Sequence, residues 1–341
     1  MSTLSPSHIL QVGLAFWSSK ALLSAVELGL FTELSAGPQN RSWIGERLGL
    51  HPRPLVDFLD ALVALRFLHR EGDGAGALYS NTPETSAFLD RNEPGYVGGM
   101  LEMANDRLYP FWGNLTEGLR SGLQQNESRD NPDADIFGQL YADPARLEEF
   151  MNAMAGISAG NCHELAARFD FSRYQTLCDI GGATALLVCT VAAAHPHLRC
   201  SSFDLPAVEP IARRRIVGAS LEGRVQTVVG NFFSDPFPQA DVITMSLILH
   251  DWSLEKKKQL IAKAYAALPE GGALIAIENL IDDARRENAF ALLMSLNMLI
   301  ENGDAFDFSA ADFEGWCRAA GFKAFQTLPL AGPSGAVIAF K

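Results

Sequence analysis

The sequence predicts an α/β protein: a doubly wound, mostly parallel sheet preceded by a helical domain. Three observations carry this. After Phe171 strand-like and helix-like stretches alternate, which implies a parallel sheet covered on both faces. The last two strands are separated only by Ala331-Gly332-Pro333-Ser334, which makes an antiparallel hairpin at the sheet edge. The first hundred residues are helical and include a helix, turn, helix and small hairpin, the order of a winged helix.

The run from Ile9 to Glu33 is apolar on every side, so a helix there must be buried, and a second subunit is the expected cover. SWIGERLGL and PRPLVDFLDALVALRFL follow as the helix pair, with Pro52 and Pro54 suited to the first turn of the second helix. EGDGAGA and LYSNT supply the turn and strand of the wing. Residues 105–131 mix aromatic and polar residues and read as a linker. A helix is expected from Pro144 to about Arg168, with Asp143 as its N-cap. Then come TLCDIGG, RCSSFDLP, RVQTVVGNFF, ADVITMSLILHDW and GGALIAIENLI as strands, each followed by a turn or helix. The expected division is 1–104 for dimerisation, 105–170 for linker helices and 171–341 for catalysis.

The formal net charge of −13 disfavours nucleic acid and acidic membrane surfaces as partners. The winged helix offers only Arg53 and Arg66 against Asp57 and Asp60, too little cation for phosphate contact. No run of eighteen uninterrupted apolar residues suggests a membrane span, and the N-terminus lacks a signal-peptide pattern. Five cysteines without C-x-x-C read as reduced core thiols, and no zinc spacing or other metal site is expected. These features suit a cytoplasmic enzyme acting on small molecules.

In a doubly wound sheet the ligand sits beyond the carboxyl ends of the strands, at the switch point. The first strand there ends in CDIGGATALL, and the second in Asp204, placed to accept ribose hydroxyls. A dinucleotide loop needs G-x-G-x-x-G, but those positions hold Gly181, Ala183 and Leu186, which argues against NAD. Adenosine without a pyrophosphate makes a weaker demand on the loop. Ala183 and Ala185 would each cost about 1–2 kcal/mol if their φ is positive.

CDIGGATA, SFDLPAV, GNFFSDPFP, ILHDW, ENLI and NMLIENG follow in an order that resembles the class I S-adenosylmethionine-dependent small-molecule O-methyltransferases. That group includes the plant caffeate-type and animal acetylserotonin-type enzymes, and the resemblance covers nearly the whole chain. It implies a Rossmann-like catalytic domain, S-adenosylmethionine as methyl donor, a small aromatic acceptor and a homodimer joined through the N-terminal domains. It places Gly181, Asp204, Asn231 and Phe232 at the donor, with Asn231 where Asp is usual. Ser246, where some members have a Lys, is placed at the donor as well. His250 matches the general base, Glu278 and Asp307 the flanking carboxylates, with Asp307 where plant members have Glu. Phe150, Met154, Met298 and Asn302 match acceptor-lining positions.

His250 closes the fourth strand, beside the first across the switch point, so a base there faces a donor over the first strand. Neutral histidine can take the proton of a phenol. Two other readings fit the same residues: a catalytically silent dimeric scaffold, and methyl transfer to nitrogen or carbon. His163, His195 and His197 are expected at the surface.

Overall fold

The computed structural model describes residues 4–129 and 144–341. The chain divides into two compact units, Met1–Pro110 and Phe111–Lys341.

In the first unit the apolar N-terminal run breaks into Ser7–Gly13, Phe16–Glu27 and Leu30–Glu33. Gly29, at φ 71°, makes the last break. The expectation of burial holds only for its second half. Val26, Leu30 and Phe31 enter the core, whereas Ile9, Val12, Phe16 and Trp17 are exposed on the single chain. By length and composition the Ser7–Glu27 stretch is also apolar enough to cross a bilayer, although polar residues interrupt it. The helix pair appears as Arg41–Leu48 and Pro52–Ala64, with proline in the first turn of the second. The wing is formed by β1 (Gln39–Asn40), β2 (Leu68–Glu71) and β3 (Leu78–Asn81) in the order β1-β3-β2. Arg53 pairs with Asp57, so one of the two candidate DNA-contacting cations is already matched by an acid.

The second unit is built on β4 (Thr176–Ile180), β5 (Arg199–Asp204), β6 (Val225–Val229), β7 (Val242–Ser246), β8 (Ala273–Glu278), β9 (Ala324–Pro329) and β10 (Gly335–Phe340). Their order is β6-β5-β4-β7-β8-β10-β9. The first five run parallel, and β10 is antiparallel to both β8 and β9. The switch point therefore lies between β4 and β7. β8 is buried at every position, as expected of a strand covered on both faces. One apolar cluster lies under the Pro144–Arg168, Leu186–Ala194 and Glu209–Gly218 helices, through Leu165, Val188 and Ile216. Another lies under Leu254–Ala267 and Ala310–Ala320, through Leu260, Ile261 and Phe313. All five cysteines are buried and free. Burial pushes the thiols of Cys162, Cys178 and Cys200 up to about 12.

Residues 105–129 are helical over Ala104–Leu108, Tyr109–Trp112 and Leu115–Ser121. Trp112 Nε1 donates to Asn297 Oδ1 (2.8 Å), and Asn126 Nδ2 donates to the Glu301 carbonyl (2.7 Å). The Pro144–Arg168 helix is present as expected, and its Cys162, Leu165 and Ala166 join the core of the sheet. Asp143, the expected N-cap, lies outside the described residues. His163 and His197 are exposed as expected, while His195 is half-buried against Phe171 (4.9 Å between ring centroids).

Candidate active site

The loop after β4 is drawn tight by its neighbours. Gly181, at φ 69°, donates to the Phe203 carbonyl (2.9 Å), and a Cβ on it would lie 2.4 Å from Ile248 Cδ1. A Cβ on Gly182 would lie 2.2 Å from Ser202 Oγ. Ala183 (φ 45°) and Ala185 (φ 60°) are both left-handed, so the two alanines do carry backbone strain. Packing offsets part of it. Ala185 is fully buried, and Ala183 packs against a cluster containing Leu147, Met151, Val208 and Ile211.

Asp204 anchors this loop to the end of β5. Its Oδ2 accepts from the Ala183 N–H (2.8 Å) and its Oδ1 from the Leu205 N–H (2.7 Å). Burial pushes its carboxyl up to about 6, against those two donors. Each oxygen keeps a further lone pair, enough to accept a sugar hydroxyl. Asp179, one layer below, accepts from Thr244 Oγ1 (2.6 Å) and is pushed up to about 7 by burial.

The next loop holds Asn231 and Phe232. Asn231 Oδ1 already accepts from the Phe233 N–H (2.8 Å), which leaves the amide N–H group as the part suited to an adenine nitrogen. Lys263 fastens this loop by donating to the carbonyls of Phe232 (2.5 Å), Phe233 (3.0 Å) and Asp235 (2.6 Å). The sequence reading did not single out Lys263. Ser246 ends β7, half-buried and in register with Ile277 of β8.

Across the switch point, His250 sits in the Leu249–Asp251 turn after β7 and is buried. Its Nδ1 lies 3.3 Å from Asp307 Oδ1 and 3.9 Å from Glu278 Oε2; its Nε2 lies 3.6 Å from Asp251 Oδ1. Each carboxylate is fixed by a different element. Glu278 ends β8 and accepts from the Leu249 N–H through Oε1 (2.9 Å). The Phe306 N–H donates to the His250 carbonyl (3.1 Å), and the Asp307 N–H donates to Ser295 Oγ (3.2 Å). Asp307, although shorter than Glu, thus reaches closer to the imidazole than Glu278 does. The three approaches between the imidazole and the carboxylates are ion-pair distances without hydrogen-bond alignment. Among the described residues, His250 Nδ1, Glu278 Oε2 and both Asp307 oxygens are buried without a hydrogen-bond partner.

Burial alone would disfavour the charged imidazole, but Glu278, Asp251 and Asp307 outweigh it and push His250 up to about 10. Burial pushes Glu278 up to about 7, against the attraction of His250. Burial also raises the carboxyl of Asp251, against the attraction of His250. Ser253 caps the Leu254–Ala267 helix, accepting from the Lys256 N–H.

Lys257 is the other residue the sequence reading missed. It is fully buried, donates to the Trp252 carbonyl, and lies 3.6 Å from the centroid of the Phe306 ring. Burial lowers its ammonium to about 8, against the attraction of Glu278, Asp307, Asp251 and Asp304. Its signal was present: 257, 260, 261 and 264 form the apolar stripe of the Leu254–Ala267 helix. The ligand-capable atoms of His250, Glu278 and Asp307 lie within 4.8 Å of one another, close enough to share a cation. A buried ammonium nearby opposes a second positive centre there.

The expected acceptor positions fall on two helices. Phe150, on Pro144–Arg168, packs on the cluster that also receives Ala183, and Met154 is half-buried one turn further on. Met298 is buried on the Ala289–Asn302 helix, which Asn302 ends.

A glycine-tight loop, a carboxylate at the end of the next strand and a buried histidine flanked by carboxylates thus meet at the switch point of a doubly wound sheet. The O-methyltransferase domain family matches residues 112–323, and the O-methyltransferase dimerisation domain matches residues 10–91. The tetracenomycin polyketide synthesis 8-O-methyl transferase of Streptomyces glaucescens is 42% identical, covering 96% of this chain and 94% of that protein. The N,N-dimethyltransferase OxyT of Streptomyces rimosus is 36% identical, covering 93% and 91%. Human N-acetylserotonin methyltransferase, solved in complex with S-adenosylmethionine, superposes with a TM-score of 0.90 at 28% identity, over 100% of this chain and 99% of that one. The chain belongs to the S-adenosylmethionine-dependent O-methyltransferase family.

Proposed function

We propose that this enzyme methylates a phenolic hydroxyl of a small aromatic natural-product intermediate, with His250 as general base. The carrying observation is the buried imidazole held between Asp307 and Glu278 on its Nδ1 side. That arrangement leaves Nε2 to accept the hydroxyl proton. Glu278, Asp307 and Asp251 then stabilise the imidazolium. A phenol has a pKa near 10, and the three carboxylates raise the proton affinity of His250 toward that range, so the imidazole in its neutral form is basic enough to take the proton.

S-adenosylmethionine, when bound, supplies an electrophilic methyl group. The residues present fit it: Gly181 and Gly182 are cradles that a Cβ would fill, and Asp204, Asn231 and Phe232 suit its adenosine. Phe150, Met154, Met298 and Asn302 supply an acceptor face that is mainly apolar, in keeping with an aromatic ring. The similarity to a polyketide 8-O-methyl transferase supports that acceptor class.

The exposed apolar face of Ser7–Glu27 lies mostly within the matched dimerisation domain, which supports a second copy of the chain as its cover and a cytoplasmic homodimer. OxyT's similarity raises nitrogen as a competing acceptor. A neutral amine attacks without prior loss of a proton, whereas a buried base flanked by three carboxylates suits a hydroxyl. The test is transfer of labelled methyl to hydroxynaphthalenes and hydroxyanthraquinones against their amino counterparts. Label on oxygen that disappears in His250→Ala supports the reading. Label on nitrogen, or unimpaired transfer by His250→Ala, overturns it.

A further inference from the structure

The proton-transfer site has a charge imbalance that His250 alone does not correct. Asp251, Glu278 and Asp307 bring three carboxylates to one imidazole. A buried group of that kind binds protons strongly, and an imidazole within it is held as imidazolium. A base held in that form cannot accept a proton from the acceptor.

We propose that Lys257 is a positioning residue for this proton transfer: its buried ammonium offsets the three carboxylates, so that His250 can release a proton as well as bind one. The inference rests on the reading of His250 as base.

Three observations carry it. Lys257 is fully buried, on the core-facing stripe of its helix, although Lys256 and Lys258 flank it. A buried ammonium is costly unless it meets opposite charge or strong acceptors. Its direct partners are the Trp252 carbonyl and the face of Phe306, both neutral. Each lies close in sequence to a site residue: Trp252 follows Asp251, and Phe306 precedes Asp307. The opposite charge it responds to is that of Glu278, Asp307, Asp251 and Asp304. With imidazole and ammonium both charged, Asp251, Glu278 and Asp307 are left with one net negative charge. Without Lys257 the surplus becomes two.

The facing charges come from several elements. β8 contributes Glu278, the turn after β7 contributes His250 and Asp251, and the segment after Ala289–Asn302 contributes Asp304 and Asp307. Ala289–Asn302 also carries Glu301. The Ala310–Ala320 helix carries Asp312, which caps it with Ser309, and Glu314, which pairs with Arg318.

The sign of the effect is fixed. A positive charge near an imidazole disfavours imidazolium, so its removal raises the proton affinity of His250. The test is an NMR titration of the histidine rings in full-length protein carrying 13C at Cε1. The His250 signal, among seven histidines, is assigned by its loss in His250→Asn. In Lys257→Met the neutral fraction of His250 at about pH 9 is expected to fall on the order of tenfold. Lys257→Gln, which keeps a donor for the Trp252 carbonyl, should act the same way, and Lys257→Arg should keep the wild-type midpoint. An unchanged midpoint in folded Met or Gln variants overturns the proposal, as does failure of both neutral variants to fold while Lys257→Arg folds. In those cases Lys257 is a structural cation. The base reading fails separately, through methyl transfer that survives His250→Ala.

Discussion

The loop after β4, proposed to bind the donor, and the cluster around His250, proposed to move the proton, follow the two strands that border the switch point and are built on opposite principles. The loop stores its strain in the backbone, at Ala183 and Ala185, and satisfies its polar atoms: both Asp204 oxygens have N–H donors. The cluster has ordinary backbone at His250 and stores its strain in charge, leaving an imidazole nitrogen and three carboxylate oxygens buried without hydrogen bonds. A site that binds a cofactor gains from a fixed, satisfied shape. A site that moves a proton gains from groups whose bonds are completed only during reaction.

This contrast predicts effects of different kind and size. The largest belongs to the base. His250→Ala should lower kcat by roughly 10²–10⁴, the usual worth of a positioned general base, in a single-turnover assay of methyl transfer. Glu278→Gln and Asp307→Asn should follow. Each removes a charged partner worth about 1.5–3 kcal/mol, or roughly ten- to a hundredfold in rate. Because Asp307 lies closer to Nδ1, its replacement should cost at least as much as that of Glu278.

On the other side of the contrast, Asp204→Ala should weaken S-adenosylmethionine affinity by roughly tenfold or more, read by calorimetry. It should also loosen the Ala183 N–H. Effects in kcat alone, with unchanged donor affinity, would break the assignment of Asp204.

Asp179 tests how burial charges the floor of the loop. Its folded pKa, about 7, lies above the ordinary carboxylate value, so the folded state favours its protonated form. Its contribution to stability is therefore full below about pH 4 and is lost as pH rises through about 7. The stability difference between wild type and Asp179→Asn, from denaturant melts, should fall across that window.

The smallest effect is expected at Ala183. Glycine there relieves about 1–2 kcal/mol of left-handed strain, but it gives back roughly 0.4–1 kcal/mol in unfolded-chain entropy and loses a packed methyl. A net change within about 1 kcal/mol is expected. A large loss would show that the methyl's packing near Leu147 and Met151 outweighs the strain.

Much of this was legible beforehand. The parallel sheet followed from the alternation of patterns, and Asp204 from its place at the end of the second strand, while the roles of His250 and Glu278 were implied by the family resemblance. What escaped the sequence depended on tertiary contact. The bounds of the short helices within residues 105–129 could not be read from the sequence, because the segment is held by hydrogen bonds such as Trp112 to Asn297, between positions far apart in the chain. Lys257 looked like one member of a solvated lysine run, and only its place on the apolar stripe distinguished it. The backbone angles of Ala183 and Ala185 set the strain in the loop, and no pattern of residue types fixes such angles.

The central claim is that donor binding and proton transfer are carried by separate groups. The most direct measurement is S-adenosylmethionine affinity and single-turnover methyl transfer in the same preparation of His250→Ala. Independent sites predict a dissociation constant within about twofold of wild type beside a rate reduced by at least roughly a hundredfold. Equal losses in affinity and rate, or no loss in rate, would contradict it.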